Sequence, residues 1–268
     1  MYPKLVSIGN FALSNYSVAI GVGLIVFLWR ALQHPLRKKY ISQEDFINLV
    51  VESALAGIVG GRLLHVIGDW HEYTSISQVL SIWNGGLSVF GSVIAVLIYA
   101  PLYLYKRGIP LLPILDLAAL YGPLLQGIAR TGCFLVGCCY GKPTTLPWGI
   151  TYTNPDVFAP LFIKLHPTQL YSTGIFLVIF LVMRFINNQA KLPVGSLAGL
   201  YIMFLSTERF IVDFFRGDRI FQNNQILTTK TSFFSFHQYI ALGLFALGAA
   251  LVLIAHVWPK PKHYHESV

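Results

Sequence analysis

Seven windows of this chain, 13–33, 46–67, 87–105, 112–135, 168–187, 195–217 and 236–258, are apolar over about the 20 residues a helix needs to cross a bilayer. In hydrocarbon, backbone N–H and C=O groups must pair within their own segment, so windows of this length read as helices. They predict an all-α integral membrane protein with about seven transmembrane helices. Composition agrees: 11% of the residues are charged, against about a quarter in soluble domains. The stretch 68–86, GDWHEYTSISQVLSIWNGG, is too polar to span and reads as an interfacial or re-entrant connection. The loop 139–167, with Pro143, Pro147, Pro155 and Pro160, reads as a small extracytoplasmic head. There is no repeat, low-complexity tract or soluble domain, so residues 1–268 are expected to form one transmembrane domain. The first window is too long, and lacks the small-residue site, for a cleaved signal peptide.

The net charge of +8 could point to nucleic acid, but no basic patch of that kind is present. Lysines and arginines instead follow alternate helices. Arg30 ends the first window and Arg37, Lys38 and Lys39 follow it, Lys106 and Arg107 follow the third, Arg184 ends the fifth and Lys191 follows it, and Lys260 and Lys262 follow the seventh. Cytoplasmic loops collect such residues. With seven spans, the N-terminus is expected outside and the C-terminus inside, with 139–167 and 218–235 facing outward. The opposite loops carry Lys142, Lys164, Arg219 and Lys230.

Charges inside the apolar windows are the second constraint. Glu52, Arg62, Asp116, Arg130, Glu208, Arg209, Asp213 and Arg216 fall in them or at their ends. Each costs at least about 2.5–3.5 kcal/mol at mid-bilayer, so such groups face a protein interior and pair. They either fix helix packing or form an anion site, and the interior arginines favour the anion site. In ERFIVDFFRGDR, 208–219, Arg209, Asp213 and Arg216 are spaced four and three residues apart, which predicts one helical face. Arginine presents a planar fork of donors to phosphate, so the stripe suits a phospholipid head group.

The stretch GIARTGCFLVGCCYGKPT, 127–144, holds Arg130 and every thiol of the chain, Cys133, Cys138 and Cys139. Gly127, Gly132, Gly137 and Gly141 let backbones approach one another and leave N–H groups for a ligand. HPTQLYS, 166–172, places His166 at the entrance of the fifth helix, and NGGLSVFGS, 84–92, brings Gly85 and Gly86 to the entrance of the third. Cys138, near Arg130, reads either as a packed thiol or as a covalent nucleophile activated by the arginines. No metal or cofactor is expected, because C-x4-C-C lacks a second ligand pair.

NGGLSVFGS, ARTGCFLVGCCYG, HPTQLYS and RFIVDFFR, in this order, resemble the prolipoprotein diacylglyceryl transferases of bacteria, and the resemblance covers nearly the whole chain. It implies an enzyme of the bacterial inner membrane that moves the diacylglyceryl group of phosphatidylglycerol to the cysteine thiol of a prolipoprotein. Glycerol phosphate is released, and access is lateral from membrane lipid. It implies catalytic roles for Arg130, Arg209, Asp213 and His166, with Cys138 added here. Tyr16, Gly85, Gly86, Gly132, Gly137 and Arg216 would bind substrate. The chain departs from the family's pattern at Phe90, where the family has histidine, and at Cys133 and Val136, where it has asparagine. Glutamates are replaced by Cys138 and Ser172, and a tyrosine by Leu205. Asp213 stands where the family has glutamate. For the base that deprotonates the thiol, Asp213, His166, His65 and Tyr16 through a water stay open. Two alternatives also stay open: another acceptor, and a lipid-binding or lipid-moving protein that kept the phosphate cavity without catalysis.

Overall fold

The computed structural model describes residues 3–8, 11–81, 85–190, 192–217, 221–222, 225–226 and 234–257. Asn84 of NGGLSVFGS, Lys191, Arg219, Lys230, Lys260 and Lys262 lie outside the described residues, as does most of 218–235. In chain order the elements are β1 (Lys4–Ile8), β2 (Phe11–Ser14), α1 (Asn15–Gln33), α2 (Pro35–Tyr40), α3 (Gln43–Gly68), α4 (Ile76–Leu80), α5 (Val89–Lys106) and α6 (Leu111–Val136). There follow β3 (Ile150–Thr151), β4 (Lys164–Leu165), α7 (Thr168–Gln189), α8 (Ser196–Asp213), β5 (Phe221–Gln222), β6 (Gln225–Ile226) and α9 (Phe236–Val257). Each expected window carries a helix. The polar stretch 68–86 contains α4 and one 3-10 turn, Trp70–Glu72, neither long enough to cross. Large apolar side chains point outward from the long helices, among them Ile25, Val59, Leu97 and Leu253, as lipid-facing positions require.

The helices form two compact units. One comprises 6–12 and 30–114 and is built on α3 against α5. Small residues bring these helices close: a Cβ on Gly60 would lie 2.7 Å from the carbonyl of Gly91, and Ser88 N donates to Gly61 O at 2.9 Å. Arg62 belongs here, buried, with its donors on the carbonyls of Gln78, Val79, Gly85 and Gly86 at 2.6–3.0 Å. It pins the polar connection to α3. Tyr99 donates to Glu52 in the same unit.

The other unit comprises 1–5, 13–29 and 115–268. Here α8 packs on α9 through Gly199 and Gly248, and on α7. Among the described residues, six helices are long and apolar enough to span; α8, with Glu208, Arg209 and Asp213, is not among them. Its ends show its course. Asp116, near the start of α6, accepts from Gly195 N at 2.6 Å and Ala198 N at 2.9 Å at the start of α8. Beyond the other end, Arg216 bridges Gly141, just past the end of α6. Thus the two ends of α8 are tied to the two ends of α6, as a seventh crossing helix requires. The loop 139–167 folds on itself: β3 pairs antiparallel with β4 over a core of Tyr152, Ala159 and Leu165.

Candidate active site

The site is built where α6 ends. Gly137 turns the chain at φ 78°, its N–H on Cys133 O at 2.9 Å, and a Cβ there would meet Val157 at 2.9 Å. Cys139 follows at φ 58°, which costs a residue with a Cβ about 1–3 kcal/mol. The start of α7 holds it there. Thr168 Oγ1 donates to Cys139 O at 2.7 Å and Gln169 Nε2 to Cys138 O at 2.7 Å. The turn brings the three sulfurs within 4.8 Å of one another, which the spacing C-x4-C-C did not foretell.

Past the thiols the backbone is paired on two sides. Gly141 N donates to His166 O at 3.1 Å and His166 N to Lys142 O at 2.9 Å. Opposite, Lys142 N donates to Phe215 O at 2.8 Å and Gly217 N to Tyr140 O at 3.0 Å. A Cβ on Gly141 would run into the His166 carbonyl and lie 3.0 Å from that of Phe215. Three of the four sequence motifs therefore meet at one glycine. This also corrects the single face expected for Arg209, Asp213 and Arg216. The helix stops at Asp213: Phe214, Phe215 and Arg216 donate back three residues in a tight turn, while the Phe215 carbonyl and the Gly217 N–H bond to the signature loop, so Arg216 leaves the helix as a bridge to Gly141.

Arg130 lies on α6 with its guanidinium in electrostatic reach of Glu208, Cys139, Cys133 and Arg216. Tyr16, on α1, is in reach of the three thiols and Arg130. Gly132 permits the approach: a Cβ there would lie 2.7 Å from Ala19 Cβ and 3.0 Å from Tyr16 Cα. Arg209 keeps the expected spacing to Asp213, Nη2 to Oδ1 3.9 Å, and Ser235 Oγ donates to Asp213 Oδ2 at 2.5 Å. Sequence reasoning missed Glu208 as a site residue. It is 2% exposed and accepts from Ser172 Oγ at 2.5 Å, so the position read as a lost carboxylate is in contact with one supplied by α8. The available signal was phase: Glu208 is about 100° around the helix from Arg209 and so serves another face.

His166 Nδ1 lies 3.1 Å from Tyr171 Oη, and Trp148 Nε1 donates to the same oxygen at 2.9 Å. Trp148 can only donate, which leaves the Tyr171 hydroxyl proton available to His166 Nδ1; in that tautomer the imidazole proton sits on Nε2. Burial, with Lys142 nearby, lowers the basicity of His166. Among the thiols, hydrogen bonds from Cys133 and Cys138, helped by Arg216 and Arg130, pull Cys139 down. Contact with Cys133 and Cys139, with burial, pushes Cys138 up. Gly85 and Gly86, at φ 86° and 76°, belong to the other unit, where their carbonyls accept from Arg62.

A family model described as prolipoprotein diacylglyceryl transferase matches residues 3–254. The chain belongs to this family. Phosphatidylglycerol–prolipoprotein diacylglyceryl transferase of Clostridium tetani is 33% identical over 246 residues, 91% of this chain and 96% of the relative. That of Fervidobacterium nodosum is 31% identical over 248 residues, 91% of this chain and 81% of the relative. The Streptococcus uberis enzyme is 26% identical over 267 residues, 98% and 99% of the two chains. The prolipoprotein diacylglyceryl transferase fold thus extends over essentially the whole molecule, and the matched region contains both arginines and all three thiols.

Proposed function

We propose that this protein is a phosphatidylglycerol–prolipoprotein diacylglyceryl transferase of a bacterial cytoplasmic membrane. The observation that carries the site is the gathering of Arg130, Arg216 and Glu208 around the turn that holds the thiols. The acceptor's sulfur attacks the glyceryl carbon, the carbon–oxygen bond to phosphate breaks, and glycerol phosphate departs with the electron pair. Charge on the departing phosphate grows as that bond breaks, so fixed guanidiniums lower the barrier, and more strongly in a site shielded from water. Arg130 and Arg216 supply them at the signature turn, and Arg209, oriented by Asp213, supplies another on α8. Glu208 balances the buried cations when no lipid is present. His166 acts as a donor through Nε2 rather than as a base. Cys138 Sγ donates to the carbonyl of Cys133 at 3.8 Å, which supports a packed thiol over a covalent nucleophile. Tyr16, Gly132 and Gly137 shape the wall around the phosphate.

The chain is oriented with its N-terminus and the 139–167 head outside and its C-terminus in the cytoplasm, supported by the cations that follow α1, α5 and α7. The test is direct. Protein reconstituted in phosphatidylglycerol vesicles with a lipobox peptide should release glycerol phosphate and add one diacylglyceryl mass to the peptide thiol. Release without peptide modification would assign a different acceptor. Lipid binding with neither product would make the protein a phospholipid carrier.

A further inference from the structure

We propose that Cys133, Cys138 and Cys139 hold a zinc ion whose fourth ligand is the thiol of the acceptor. The inference rests on the reading of the protein as a transferase to a prolipoprotein cysteine. Zinc binds thiolates at about 2.3 Å in a tetrahedron, which sets sulfurs about 3.8 Å apart. Three sulfurs within 4.8 Å of one another need to close by only about 1 Å to meet that geometry. A site with three protein ligands and one open position is the form that catalytic zinc takes.

The surroundings point the same way. Cys139 is held in the left-handed region by Thr168, and Cys138 is fixed through its carbonyl by Gln169. Backbone strain of this kind persists only where neighbours impose it, and here it turns three thiols toward one point. Zinc with three thiolates carries one net negative charge. It would lie in the field of Arg130 and Arg216, whose positive charge favours a site of that sign. Gln169 is 1% exposed; its nitrogen serves Cys138, while its Oε1 has no hydrogen-bond partner among the described residues.

The site supplies what His166 and a half-buried Cys138 do not, a means of ionising the acceptor. A thiol that coordinates zinc loses its proton. The acceptor S–H therefore gives its proton to solvent on binding. The zinc-held sulfur then forms the S–C bond as the C–O bond to phosphate breaks, and glycerol phosphate leaves with the electron pair beside Arg130. The thioether product is a weak ligand and dissociates, and zinc is neither oxidised nor reduced.

Protein purified without chelator should carry about one zinc per chain by elemental mass spectrometry, and Cys133→Ser, Cys138→Ser and Cys139→Ser should each lose it. Cobalt-substituted wild type should show thiolate-to-cobalt absorption. Its visible bands should shift when a lipobox peptide is added, but not with the S-methylated peptide. The wild-type measurements suffice if a variant fails to fold. Zinc-free wild type, or a single free thiol with the other two cysteines in a disulfide, overturns the proposal. Transferase activity that survives complete metal removal overturns it while leaving the function intact. A peptide-responsive cobalt spectrum without glycerol phosphate release from phosphatidylglycerol would instead refute the transferase reading and keep the metal.

Discussion

Arg130 and Glu208 are the pair on which the site's chemistry turns. Loss of one donor that stabilises a developing anion costs about 10²–10³ in turnover, so Arg130→Ala should fall by at least that factor while remaining folded. Arg130→Lys should recover little, because an ammonium lacks the planar fork that meets two phosphate oxygens at once. Glycerol phosphate release measures both, and near-normal turnover in Arg130→Ala would refute the phosphate role. Glu208 offers a sharper test. Glu208→Leu leaves the buried Ser172 hydroxyl without its acceptor, which costs about 1–3 kcal/mol, and should lower the midpoint of thermal unfolding in detergent. Glu208→Gln keeps the shape and an acceptor for Ser172 but drops the charge, and should mainly reduce turnover. Because Ser172 Oγ and Glu208 Oε1 are 2.5 Å apart, a carboxylate can be carried from either helix. The exchange Ser172→Glu with Glu208→Ser should therefore restore activity that Glu208→Ser alone loses. Failure of the exchange, with the double variant folded, would mean that the carboxylate acts from α8 only.

Helices and turns carry the site's geometry, and one glycine holds three of them together. Gly141→Ala places a methyl against the His166 and Phe215 carbonyls, which are backbone and cannot rotate away. Overpacking of side chains alone costs about 1–3 kcal/mol, and here the backbone must move. The variant should unfold at lower temperature and lose activity even at temperatures where it stays folded, because Arg216 and His166 shift with the loop. An unfolding midpoint and turnover equal to wild type would sink this account of the junction. Elements of this kind differ in how plainly the sequence announces them. The seven spans were legible because a bilayer imposes a length, and the Arg209–Asp213 pair because helix period imposes a face. The end of α8 was not, since Phe214, Phe215 and Arg216 continue a helical pattern and only the bond to the signature loop stops it. Arg62 read as a candidate for the anion site because its partners are backbone carbonyls of a polar connection, which leave no mark in residue type. The thiol cluster was hidden for a related reason: the φ values of Gly137 and Cys139, not their spacing, bring the sulfurs together.

At the scale of the molecule the sidedness of the membrane decides whether the site can meet its acceptor. A charged helix would normally be counted out of a topology, and without α8 the number of crossings would be even, with both termini on one side. The ties of α8 to α6 argue against that. Asp116 holds its start and Gly141 meets the chain just beyond its end, so α8 crosses wherever α6 does. Seven crossings then place the cations after α1 and α5 on one side and the head loop on the other. In the orientation proposed above from the cations, the head and the thiol turn face outward, the side on which an exported prolipoprotein presents its cysteine. Asp156, exposed on the head, and Lys39, exposed at the end of α2, report the two sides. Replaced singly by cysteine in intact cells, position 156 should react with an impermeant maleimide at once, and position 39 only after permeabilisation. Peptide mapping separates each label from the three native thiols, which stay in place so that the site is undisturbed. The reverse pattern would put the thiol turn in the cytoplasm and overturn the orientation, and with it delivery of the acceptor from outside.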